Sequence, residues 1–222
     1  MNTVPAEPKQ RLLQLALDLG HLDAALAAAE AAAGGIDVIE AGTLLCVAEG
    51  MHAVRALRRA HPTKIIVADI RIARAGKNLA TMAFEAGADW VSAVGEAPAE
   101  TLASAAKVAQ AQGGELQVEL PEQWDDALAR RWFGMGIRHA ICHCTAEVHA
   151  VGSGWSARTI EMLDRLGAMG FTVTAAGGID AATLPGLLPT AATVFVAGRS
   201  IVKAADPRAE ALRMQALLRE TS

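Results

Sequence analysis

Concentrated positive charge is absent from this 222-residue chain: its longest basic run is Arg58-Arg59, the net charge is −4 and the calculated pI is about 5.9. Nucleic acid and anionic membrane surfaces both call for a dense positive patch, so neither is an expected partner. Aromatic residues are scarce as well, at 4%. Cysteines number only three, Cys46, Cys142 and Cys144, an odd count that suits a reduced, cytoplasmic chain better than a disulfide framework. No apolar run approaches the roughly 18 residues of a membrane helix. The opening MNTVPAEPKQR also lacks the apolar core of a secretory signal.

What is abundant is apolar material. Hydrophobic residues make up 52% of the chain and charged residues 20%, enough for one large core. A polar, proline-containing stretch, residues 1–11, reads as a mobile leader, and 12–222 as a single domain. Periodicity predicts strands over Leu12–Asp18, Ile36–Glu40, Lys64–Asp69, Trp90–Val94, Leu116–Leu120, His139–His143, Phe171–Ala175 and Thr193–Ala197. Between them fall helices, among them Leu22–Ala33, Val47–Ala60, Ala75–Ala86 and Pro98–Gln112, and a last one covers Pro207–Arg219. Eight such units, each under about thirty residues, suit a compact (β/α)8 TIM barrel. The alternative, an open doubly wound sheet, would lack an acid or glycine at nearly every strand exit.

Those exits hold the candidate chemistry, because side chains at the carboxyl ends of parallel strands face the ligand. Asp18, Glu40, Asp69 and Glu119 would converge over the barrel mouth, where mutual repulsion needs relief. A hard cation such as Mg²⁺ and salt bridges to lysine or arginine are equal alternatives on spacing alone. Asp69 and Arg71, two apart on an extended chain, project to one face and could grip a substrate between them. Helix capping by the acid and a solvent-facing arginine is the plainer reading. The Gly177-Gly178 and Gly198-Arg199 exits of the last two strands suit a phosphate, with backbone N–H groups and a guanidinium as donors, rather than a simple turn. His143 could move a proton near neutral pH or serve structurally. Cys142 and Cys144 flank it on the opposite face and read as small buried residues, not metal ligands.

Several of these segments together resemble one family: Leu15-Ala16-Leu17-Asp18, Ile39-Glu40-Ala41-Gly42-Thr43, Val67-Ala68-Asp69, Gln117-Val118-Glu119-Leu120, His143, Gly177-Gly178 and Phe195-Val196-Ala197-Gly198-Arg199-Ser200-Ile201. From about Leu13 to Leu217 the chain is similar to the orotidine monophosphate decarboxylase suprafamily. Within it the likeness is to the branch of 3-keto-L-gulonate 6-phosphate decarboxylase, with 3-hexulose-6-phosphate synthase as near relative.

The resemblance implies a homodimeric barrel with shared active sites, in which Mg²⁺ stabilises an enediolate formed from a phosphorylated keto-sugar acid. It implies decarboxylation, with an aldolase or isomerase of a sugar phosphate, or a non-catalytic sugar-phosphate binder, as alternatives. Glu40 and Asp69 match the metal-binding acids, and Asp18 and Glu119 the acids around substrate hydroxyls. His143 matches the proton-handling histidine, and Gly177, Gly178, Gly198 and Arg199 the phosphate cradle.

This chain departs from the family where Asp-x-Lys-x-x-Asp becomes Asp69-Ile70-Arg71-Ile72-Ala73-Arg74. Arg71 keeps the positive charge but cannot give up a proton, so it is expected to bind an oxyanion without acting as an acid. Arg74 reverses the charge of the residue that reaches the neighbouring subunit's site. With Arg71 it is expected to face an extra anionic group on the substrate. Ala146 and Ala176 stand where the decarboxylase branch has an arginine and a threonine.

Overall fold

The structure is a computed structural model that describes residues 10–144 and 155–220, so the leader up to residue 9 and Ala146 lie outside the described residues. Eight parallel strands close into a barrel in chain order. They are β1 (Leu12–Leu17), β2 (Val38–Ala41), β3 (Ile65–Ile72), β4 (Trp90–Val94), β5 (Glu115–Glu119), β6 (His139–His143), β7 (Thr172–Ala176) and β8 (Val194–Ala197). β1 pairs with both β2 and β8, which closes the ring and rules out the open sheet. The chain is thus a single-domain (β/α)8 TIM barrel. Arg11, grouped with the leader by sequence, donates from its guanidinium to the Leu188 carbonyl at 2.7 Å and so docks on the barrel.

Alternation along each strand divides the core. On β1, Leu13, Leu15 and Leu17 are fully buried against the helical layer, while Gln14 and Ala16 face the barrel interior and line its cavity. Val38, Val67, Trp90 and Val194, backed by Leu12 and Ile65, form a smaller separate apolar cluster, of which Val67 also lines the cavity. The first helix, α1 (Leu22–Ala32), buries Ala25, Ala29 and Ala32, one face at helical spacing. Such small side chains let a helix sit close to its neighbours, which is how so alanine-rich a chain still packs densely.

Three local differences from the periodicity have physical causes. The helix expected over Val47–Ala60 is two, α2 (Thr43–Glu49) and α3 (Met51–Ala60), because Gly50 between them has φ +58° and ψ −155°, a glycine conformation. β3 runs three residues past Asp69, and its register against β4 shifts between Ala68 and Ile72. A short helix, Arg199–Val202, follows β8 directly, tied down by the Ser200 hydroxyl donating to the Ile179 carbonyl at 2.8 Å.

Candidate active site

The carboxyl ends of the strands open into a cavity of about 860 Å³. That is ample for a phosphorylated sugar. Asp18, Glu40, Asp69, Arg71, Glu119 and His143 line one part of it; Gly177, Gly178, Gly198 and Arg199 line another. Of the residues singled out from sequence, only Arg74 is absent from the lining: it is exposed in the segment between β3 and the helix Gly76–Glu85.

Asp69 and Arg71 do meet the same cavity, but not through simple strand alternation. The register shift in β3 sets Arg71 at φ +47°, a left-handed conformation that costs a non-glycine residue on the order of 1 kcal/mol. Ser92 on β4 holds this bend. Its hydroxyl accepts the Arg71 backbone N–H at 2.9 Å and donates to Asp69 Oδ1 at 2.5 Å. Asp69 Oδ2 accepts from the Thr43 hydroxyl. Ser92 went unnoticed in the sequence; its position two after Trp90, on the inward face of β4, was the available signal, while Thr43 belonged to a quoted motif.

The two readings of the acidic rim separate residue by residue. Glu119 has salt-bridge partners: Arg71 Nη2 lies 2.7 Å from its Oε2, and His143 Nδ1 lies 3.3 Å from its Oε1. Burial pushes its carboxyl upward, yet the His143 bond and the Arg71 guanidinium outweigh that and hold it below the usual carboxylate value. Glu40 has no cationic partner among these contacts. It is buried and accepts from the Gln14 amide. Burial first, then the charge of Asp69, push its carboxyl up to about 8 against the pull of the Gln14 bond, with smaller pushes from Asp18 and Glu119.

An uncompensated pair of carboxylates is what a divalent cation relieves. Glu40 and Asp69 therefore fit a Mg²⁺ ion that binds through one or two carboxylates and completes its shell with water or substrate oxygens. No group of three or more His, Cys, Asp or Glu among the described residues is placed to hold a metal unaided. Cys142 and Cys144 are buried, with burial pushing the Cys142 thiol up to about 12, in accord with a packing role.

At the far end, Gly177 and Gly178 have φ +98° and +63°, so their backbone turns in a way that side chains resist. The Trp155 indole N–H donates to the Gly177 carbonyl at 3.1 Å and steadies the turn. Arg199 is exposed at the start of its short helix, and Lys203, which sequence inspection passed over, lines the same end. Asp180 lies there too, but its Oδ1 accepts from the Ala182 and Thr183 N–H groups at 2.9 and 2.8 Å, a turn-forming role.

Known proteins share this architecture. A model of the orotidine 5'-phosphate decarboxylase / HUMPS family matches residues 11–214. A 3-keto-L-gulonate-6-phosphate decarboxylase from Escherichia coli strain E24377A is 41% identical over 196 residues, covering 88% of this chain and 91% of that protein. Among solved structures, KGPDC from Streptococcus mutans in complex with D-R5P superposes with a TM-score of 0.91 at 34% identity, covering 95% of this chain and 98% of that one. A 3-hexulose-6-phosphate synthase superposes at 0.86 with 35% identity, over 93% of this chain and 99% of that one. With the family model spanning nearly the whole barrel, the chain belongs to the orotidine 5'-phosphate decarboxylase / HUMPS family.

Proposed function

We propose that this chain is a Mg²⁺-dependent carbon–carbon lyase that decarboxylates a phosphorylated keto-sugar acid of the 3-keto-L-gulonate 6-phosphate type. The observation that carries the reading is one cavity with two chemically distinct ends, acids with Arg71 and His143 at one and the glycine–Arg199 cradle at the other. The decarboxylase relatives support the choice of reaction.

In a 2-hydroxy-3-keto acid, the electrons of the bond to the departing CO₂ flow toward the ketone and leave an enediolate, and a proton then adds to the carbon that lost CO₂. The cradle and Arg199 fix the phosphate, so binding energy remote from the reacting carbon positions it. Arg71 brings positive charge to a developing oxyanion without supplying a proton. His143, oriented by Glu119, is the group at this end that can carry the proton to carbon. Bound by Glu40 and Asp69, Mg²⁺ would supply Lewis acidity toward the enediolate oxygens.

The direct test is CO₂ release from 3-keto-L-gulonate 6-phosphate by the purified chain, with and without chelator. Turnover should require Mg²⁺ and fall at least about 100-fold when it is removed. Aldol cleavage without CO₂ release would replace this reading with that of the synthase relatives. If Arg71→Lys with Arg74→Asp creates decarboxylation where the parent chain shows none, the natural reaction is a different one.

Ser92 offers a finer check, since its hydroxyl serves both Asp69 and the Arg71 backbone. Ser92→Ala is expected to lower kcat/KM about tenfold, the value of one or two lost hydrogen bonds, and Ser92→Thr to restore most of it.

The assembly we propose is a homodimer with its active sites near the interface. Leu44 and Val47 on α2 are 60% and 80% exposed, and Leu44 also lines the cavity, so an apolar face continues from the site's rim. A second copy on this face would also bring Arg74 near a neighbour's site. Sedimentation should give twice the chain mass, and Val47→Asp should shift it toward monomer. We assign the protein to the cytoplasm, a reading supported by the odd count of three cysteines; no helix among the described residues is long and apolar enough to cross a membrane.

A further inference from the structure

Arg71 holds a partner that a substrate carboxylate can displace. Its Nη2 lies 2.7 Å from Glu119 Oε2, and the arginine side chain remains 40% exposed against 18% for the glutamate. One guanidinium nitrogen makes this contact, and the side chain lines the cavity. The backbone beneath is fixed, because the N–H is bound by Ser92 and the left-handed bend is locked into β3. The guanidinium can therefore swing about a stationary pivot.

Two acids then compete for one cation. Glu119 keeps its His143 contact when Arg71 departs, so it gives up less than a carboxylate with a single partner would. An incoming carboxylate can use the guanidinium fork, whereas a neutral hydroxyl replaces neither the opposite charge nor the two-oxygen acceptor that Arg71 would give up. The surroundings sharpen the choice: beside the acids Asp18, Glu40 and Asp69, Arg71 brings a permanent guanidinium charge to this end of the cavity lining.

We propose that the Arg71–Glu119 pair is an exchange clamp that selects sugar phosphates bearing a free carboxylate, the guanidinium passing from Glu119 to the ligand on binding. The inference rests on the sugar-phosphate acid reading above and adds the means of selection. Its distinctive consequence is that Glu119 is an internal competitor. Removing its charge should tighten binding of the right ligand, the opposite of what loss of an ordinary binding residue does.

Calorimetric titration in the presence of Mg²⁺ tests this with 6-phosphogluconate, which carries the carboxylate, and sorbitol 6-phosphate, which does not. The wild-type chain should prefer the acid by about tenfold or more, the worth of one charge-assisted bond. In Arg71→Gly, which suits the left-handed backbone and so should fold, the preference should shrink to within about threefold. Arg71→Lys, which keeps the charge but not the fork, should fall between. Glu119→Gln should tighten binding of the acid about fivefold and so widen its advantage over the neutral phosphate. A preference that survives Arg71→Gly, or a Glu119→Gln that binds the acid more weakly, overturns the clamp. If both probes bind the wild-type chain alike, the clamp alone fails; if neither binds, the sugar-phosphate reading falls with it.

Discussion

Glu40→Gln, freed of divalent ions by a chelator, is expected to melt well above the parent chain at pH 8, and the advantage to disappear as the pH falls toward 4.5. Burial and the neighbouring charge of Asp69 raise the Glu40 carboxyl from 4.5 to about 8 in the folded state. Between those values the folded chain holds a proton that the unfolded chain has released, so stability declines as pH rises through this window and levels off above it. The deficit at pH 8 is on the order of 4 kcal/mol, or roughly 12 °C in a chain of this size. Glutamine keeps the bond from Gln14 and removes the charge, so the variant escapes the penalty. Mg²⁺ should reverse the comparison, stabilising the parent more at pH 8 than at pH 6 and leaving the variant unmoved, since the ion needs the ionised carboxylate. Turnover of the variant should drop by about 10³-fold with loss of that ligand. Melting curves from pH 5 to 8, with and without Mg²⁺, read all of this; a difference that does not vary with pH would show that Glu40 ionises freely.

The same residue illustrates what the chain discloses on its own. Alternation at strand ends was enough to place Asp18, Glu40, Asp69, Glu119 and His143 at one rim, because period-two patterning in parallel strands leaves little choice of face. That the glycine pair and the Gly-Arg step after the last two strands line the same cavity was equally legible. What could not be read was the division of labour among the acids. Whether an acid is matched by a guanidinium, by hydroxyls or by nothing depends on side chains from other strands, as Arg71 reaching from β3 to Glu119 on β5 makes plain. Nor does any local pattern announce that Arg71 sits in a left-handed bend. Only the pairing with β4 and the Ser92 hydroxyl enforces it. Gly50, splitting one expected helix into two, is a milder instance: a lone glycine in a helical pattern is often tolerated.

Gly177→Ala is expected to cripple the protein, whereas Gly198→Ala is expected to leave the fold standing, although both glycines line the same end of the cavity. A methyl group on Gly177 would fall on the Cys144 carbonyl oxygen, with the carbonyl carbon 2.8 Å away and His143 Cδ2 at 3.0 Å. The obstacle is backbone at the end of β6, held by the Cys144 N–H donating to the Ala176 carbonyl at 2.8 Å, so it cannot rotate aside as a side chain would. The φ of +98° adds strain of its own. Relief requires β6 and β7 to part at the mouth, which displaces His143 as well as the Gly177-Gly178 turn. A loss on the order of 3–5 kcal/mol follows, with at least about 100-fold lower kcat/KM in whatever remains folded. At Gly198 the φ is −115° and the nearest atom to an added methyl is the Ala16 carbonyl oxygen at 3.4 Å, an ordinary contact. Gly198→Ala should therefore melt within about 1 kcal/mol of the parent and show its effect, if the cradle holds phosphate, as a raised KM with kcat little changed. Thermal melts and steady-state kinetics on the two variants separate a glycine required by the barrel from one required by the ligand. Equal stability of both would mean that β6 yields at Cys144 far more readily than its hydrogen bond to β7 suggests.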